Sequence, residues 1–234
     1  MNAKKQINIK PRSFLIKMSQ TNTDSQLSKL QSLKYLTPAR SISDANALLP
    51  KVSEIVEKYV QALTPWKKEN GTLQHASDSL WDLARIEAMR SGRTNTWDLA
   101  WNSAWKSASQ SARDNYGWYG SEFISGETAR DAARDAAKYA ARYAVCESVK
   151  EKFGGNNPFE YVIELYSMGL KPTYFKKIEE QEKFVIDFPL NLDGKNVLGC
   201  YAHGDKEILF THNWIDYCVN LKPVNNPELK RSFS

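Results

Sequence analysis

No apolar run in these 234 residues approaches the roughly 18 that a bilayer-spanning helix needs. Cysteine is scarce. Cys146, Cys200 and Cys218 are an odd number without framework spacing, which argues against a disulfide scaffold and suits a reducing compartment. There is no Gly-rich phosphate loop: the glycines of "FGGNN" follow a predicted helix, where they stop it, instead of preceding one, where phosphate would bind. The Lys-rich stretch "MNAKKQINIKPRSFLIK" lacks the apolar centre and small-residue cleavage site of a secretory signal. Met18 reads as the start of an ordinary polar N-terminus, with a targeting segment as the alternative. These absences lead to the expectation of a soluble, cytoplasmic chain with no membrane span and no cofactor.

What is present suffices for a core. Apolar residues make up 41% and aromatic residues 12%, which argues against disorder and fits one large domain or two small ones. The net charge of +5 invites a nucleic-acid reading, so its location matters. Residues 1–43 carry eight Lys or Arg and one Asp, or +7, which leaves −2 for the remainder. The excess positive charge lies in a basic, flexible tail over residues 1–40, and nucleic acid is not expected to bind the folded body.

Helical period dominates up to about residue 170. Asp44 is the expected cap of a helix with Val52, Ile55, Val56, Tyr59, Val60 and Leu63 on one face, Pro50 in its first turn and Pro65 at its end. A second helix covers Asp78 to Met89, with Leu80, Trp81, Leu83, Ala84 and Ala88 on one side, and "RSGRTN" breaks it. Thr96 or Asn95 caps the next, from Trp97 to about Asn115. Thr128 starts a long helix ending near Phe153, and "NPFEYVIELYSMG" forms a short one closed by Gly169. The runs "EKFVIDFPL", "KNVLGCYA" and "KEILFTHNW" then read as strands of an antiparallel meander. The expected fold is therefore α+β: a helical bundle over 41–170, then a β segment over 171–234 packed on it.

The long helix is unusual in its alanines. Ala129, Ala133, Ala137 and Ala141 form one row, and Ala132, Ala136, Ala140 and Ala144 the row beside it, opposite Arg130, Arg134, Lys138 and Arg142. Asp131 and Asp135 stand at salt-bridge spacing from those cations. Small faces permit close approach but bury little. The preceding helix has its own alanine row (Ala100, Ala104, Ala108, Ala112) beside Trp97, Trp101 and Trp105, so the tryptophans are expected to cover the alanine groove in an antiparallel pair. Self-association of two chains through the alanine face is the alternative.

"WDLAWNSAW" and "RDAARDAAKYAAR", followed by "NPFEYVIELYSMGLKP" and "KFVIDFPL", resemble uncharacterised proteins of bacteria and their phages with tandem Asp-Ala-Ala-Arg or Asp-Ala-Ala-Trp repeats. More loosely, the repeat is similar to predicted bacterial immunity proteins of Ala-rich helical type. The resemblance covers about residues 78–190, implies a mobile-element or immunity-type setting, and brings no catalytic residues with it.

Among candidate chemistries, Cys200, His203, His212 and Cys218 are the metal candidates, because two Cys and two His fall within nineteen residues. A hairpin at "HGDK" argues against it, since pairing Cys200 with Leu209 and Tyr201 with Ile208 scatters the ligands. Ordinary sheet residues are the simpler reading, and no metal is expected. A thiol nucleophile lacks an orienting acid, and Cys146 reads as a small buried residue. The carboxylates of "DAARD" and "KKIEEQE" read as helix ion pairs and a solvated run. Tyr116, Trp118 and Tyr119 form an aromatic loop without a basic setting, either a packed turn or a protein contact. The resulting expectation is a non-enzymatic protein that binds another protein, of unknown identity, or itself. Nucleic-acid association through the tail and an unrecognised hydrolase are the alternatives.

Overall fold

The computed structural model describes residues 30, 40–68, 71–116, 126–178, 180–192, 195–206, 208–210 and 222–223. Helix α1 spans Ile42–Leu63, α2 Leu73–Arg90, α3 Thr96–Tyr116, α4 Gly126–Val149 and α5 Phe159–Ser167. Strands β1 (Lys171–Ile178), β2 (Gln181–Leu192), β3 (Lys195–Ala202), β4 (Leu209–Phe210) and β5 (Lys222–Pro223) form one antiparallel sheet in sequential order. The fold is α+β, a helical bundle followed by a meander. No helix among the described residues is long and apolar enough to cross a membrane.

Helix boundaries depart from expectation where a better cap lies nearby. Ser41, not Asp44, caps α1: its Oγ accepts the Asp44 N–H at 3.1 Å and donates to the Asp44 carboxylate at 2.6 Å. The earlier start leaves Pro50 inside the helix. Thr72 caps α2 in the same way, six residues before Asp78, accepting from His75 N–H at 3.1 Å. Glu182 of β2 accepts the N–H groups of Leu73 (2.7 Å) and Gln74 (3.1 Å), so a carboxylate from the sheet completes that helix end. Leu83 was expected on the buried side of α2 but is 46% exposed. The long helix α4 begins at Gly126, before Thr128, and gives way after Val149 to a 3₁₀ turn over Lys150–Phe153.

The sheet starts one strand earlier than the three β-rich runs, because β1 is the Pro- and Lys-containing "KPTYFKKI". Strand β2 alternates its faces. Phe184, Ile186, Phe188 and Leu190 enter the core shared with the helices, whereas Val185 joins Cys200 and Ala202 in a small cluster on the opposite face. Tyr59 of α1 meets Phe184 (5.2 Å) and Phe175 (5.7 Å), clamping bundle to sheet in one continuous core. Burial pushes the Tyr59 phenol well up, so it stays neutral and hydrogen-bonds Ser77 at 3.1 Å.

The described residues also shift the edge of the basic tail. Leu30 is fully buried. Arg40 forms a parallel bridge to Leu190: its N–H donates to Pro189 (3.1 Å), it accepts from Asn191 (2.8 Å), and its guanidinium reaches the Met168 carbonyl (2.5 Å). Both belong to the folded body.

Candidate functional site

Two alanine surfaces meet between α3 and α4. Ala100, Ala104, Ala108 and Ala112 of α3 are at most 1% exposed, as are Ala132, Ala133, Ala136, Ala137, Ala140 and Ala141 of α4. Among the described elements α3 packs chiefly on α4, so each helix covers the other's small face. The first turn of α3 (Trp97) lies beside the end of α4 (Val145), which makes the pair antiparallel. The described alanines are thus covered within one chain. The Ala129 side chain lies outside the described residues.

The tryptophans pack against the core that contains these rows. Trp97, Trp101 and Trp105 are half-buried at the edge of the core. Trp97 packs on Trp81 of α2 at 5.1 Å and on Trp101 at 6.0 Å, so this side of α3 is tied to α2 as well as α4.

Arg142 corrects the expectation of a wholly solvated charged row. Its side chain is 11% exposed, paired with Asp78 at 3.6 Å and placed over Tyr139 (5.5 Å), Trp81 (5.6 Å) and Phe159 (6.0 Å). A four-residue row drifts about 40° per repeat, and by its fourth member it has turned from solvent toward α2 and α5. Arg130, Arg134 and Lys138 remain exposed, with Arg134 on Asp131 at 3.2 Å.

The turn "RSGRTN" does more than break a helix. Arg93 N–H donates to Ala88 (2.8 Å) and Gly92 N–H to Met89 (3.1 Å), a Schellman closure that needs the positive φ of Gly92 (70°). This closure sets the end of α2 against the start of α3 and opens a cleft of about 390 Å³ between them. Trp81, Ala88, Met89, Trp97 and Val145 form its walls, with Asp82, Arg85, Arg93 and Thr94 around the rim. The volume lies at the small end of the roughly 300–1,000 Å³ range of ligand pockets, sized for large side chains. Met89 is 59% exposed, and Ile86 (40%) and Leu83 (46%) carry apolar surface from it around the outer face of α2. A three-residue spacing of Leu83, Ile86 and Met89 was visible in the sequence. Their outward direction was not.

The two described metal candidates, Cys200 and His203, have different surroundings. The register pairs Cys200 with Leu209, as the hairpin reading expects. Cys200 belongs to the cluster on the face away from the helices, whereas His203 lies 3.9 Å from Glu57 of α1. Burial depresses the His203 imidazole pKa, against the pull of Glu57. No group of three His, Cys, Asp or Glu among the described residues is placed to hold a metal ion. His212 and Cys218 lie outside the described residues, as do Trp118, Tyr119 and the Tyr116 side chain. In "KKIEEQE", Glu182 serves as the α2 cap and Glu180 pairs with Lys177.

Cys146 is 2% exposed, and burial pushes its thiol pKa up to about 12. We expect Cys146 and Cys200 to resist iodoacetamide at mildly alkaline pH in the native protein and to react once it is denatured. Fast native labelling of Cys146, read by peptide mass mapping, would contradict its place in the core.

Compared with protein-family models, curated proteins and solved structures, the chain matches none.

Proposed function

We propose that this chain is a non-enzymatic binding protein whose cleft between α2 and α3 receives a large apolar side chain from another protein. The observation that carries the reading is the cleft itself: two tryptophans and an exposed methionine, set by the hydrogen-bonded helix closure and continued by Ile86 and Leu83 along α2. Exposed apolar surface rimmed by polar groups is characteristic of interaction sites. Aromatic and Met side chains are the residue types enriched at interface centres. The setting we propose is cytoplasmic, in the mobile-element or immunity-type context that the resemblance of the alanine repeat implies.

Affinity purification from the native cell tests this with three proteins: the parent, Met89→Lys and Leu99→Lys. Both sites are exposed, so both variants should fold. A partner kept by the parent and Leu99→Lys but lost by Met89→Lys is the expected result. Equal retention by all three places binding elsewhere. A partner lost on removing residues 1–17, and sensitive to salt, would favour the basic tail.

A further inference from the structure

We infer that the segment received by the cleft is acidic: a short stretch of polypeptide presenting one or two large apolar side chains flanked by Asp or Glu. The inference rests on the protein-binding reading above and adds the chemistry of the partner.

Charge around the cleft carries it. Two cations line the cleft, Arg85 and Arg93, against one anion, Asp82, which is already engaged. Asp82 faces Arg85 at 4.0 Å, and Glu87 is shared between Arg90 (4.0 Å) and Lys152 (3.9 Å). Arg93 lines the cleft without an ion pair among the described residues. The end of α2 accounts for Arg90, since a cation there complements the helix dipole. It does not account for Arg93, which lies beyond the helix with its side chain on the cleft. Residues 30–234 carry 26 cations and 26 anions, so the body around this corner has no excess positive charge to account for it. Rim charges of this kind select partners of opposite sign and speed their encounter.

Size favours a peptide over a small anion. The row Leu83–Ile86–Met89 spans about 9 Å of helix, at 1.5 Å per residue, and extends past the cleft. A small ligand would leave that row uncovered, whereas a peptide running off the cleft along α2 covers it.

Panning a random short-peptide library displayed on phage against the full-length protein tests the inference. Enriched sequences should combine net negative charge with Trp, Phe, Leu or Met. A synthetic representative should bind the parent and lose about tenfold or more in affinity to Arg93→Glu, with a larger loss at low salt. Met89→Lys should abolish binding, and Lys138→Glu, on the exposed side of α4, should leave it unchanged. Far-UV circular dichroism confirms that each variant is folded, and Arg93→Glu, in an exposed turn, gives a second readout if Met89→Lys is not. Enriched peptides of neutral or positive charge that still depend on Met89 would overturn the acidic partner and leave the protein-binding site standing. Peptides indifferent to both substitutions, or no enrichment, would overturn both.

Discussion

Phe184→Ala should lower stability by about 3–5 kcal/mol, the usual cost of emptying an aromatic core position. Phe184 is 2% exposed and sits against Phe175 at 4.9 Å and Tyr59 at 5.2 Å, where β1, β2 and α1 meet. Position makes the result informative beyond its size. If bundle and sheet share one core, a substitution in the sheet destabilises the helices equally. Urea unfolding followed by tryptophan fluorescence, to which five of the seven tryptophans (Trp66, Trp81, Trp97, Trp101 and Trp105) contribute from the described helical part, should shift to lower denaturant together with far-UV circular dichroism. A fluorescence midpoint that stays at the parental value would mean that the helical part folds without the sheet.

Ala136→Leu should cost about 1–3 kcal/mol although leucine is a good helix former and more apolar than alanine. Ala136 is fully buried in the centre of α4, where α3 approaches over its own alanines. Three added carbons must push α3 outward or adopt a strained rotamer, and pushing α3 outward also loosens Trp97 from Trp81. Arg134→Leu, two residues away on the exposed side, should stay within about ±0.5 kcal/mol of the parent, because it removes only the surface pair with Asp131. Chemical denaturation of both variants, with sedimentation to read their mass, gives the answer. An Ala136→Leu protein as stable as the parent would show that the two helices are not closely packed, and loss of a dimer with an intact monomer would mean that the face serves a second chain.

Much of the architecture was legible because it is written in local periods. The apolar spacing of Val52, Ile55, Val56, Tyr59 and Leu63 places the buried face of α1, and the paired alanines mark a helix with a small face. The turn at "HGDK" brings Cys200 opposite Leu209 by counting alone. Boundaries were less legible where several residues could cap. Ser41 and Asp44 both offer an oxygen, and their mutual hydrogen bond decides which one terminates the helix. The candidate site was hardly legible. "RSGRTN" shows a break, but not that its closure faces Trp81 toward Trp97 across fifteen intervening residues.

The sequence by itself determined the order of the helices, the α-to-β change near residue 170, and the small-residue character of the α3–α4 contact. Each follows from spacing, caps and turn residues within one stretch of chain. Tertiary structure decided which members of those patterns are covered. It turned Arg142 inward among three aromatic rings while Arg134, two turns earlier in the same row, stayed in water. It recruited Glu182, more than a hundred residues away, as the cap of α2, and left Leu83, Ile86 and Met89 facing out. A local pattern sets the direction of a side chain relative to its own helix axis. Burial also depends on what stands opposite, and the groups opposite come from distant parts of the chain.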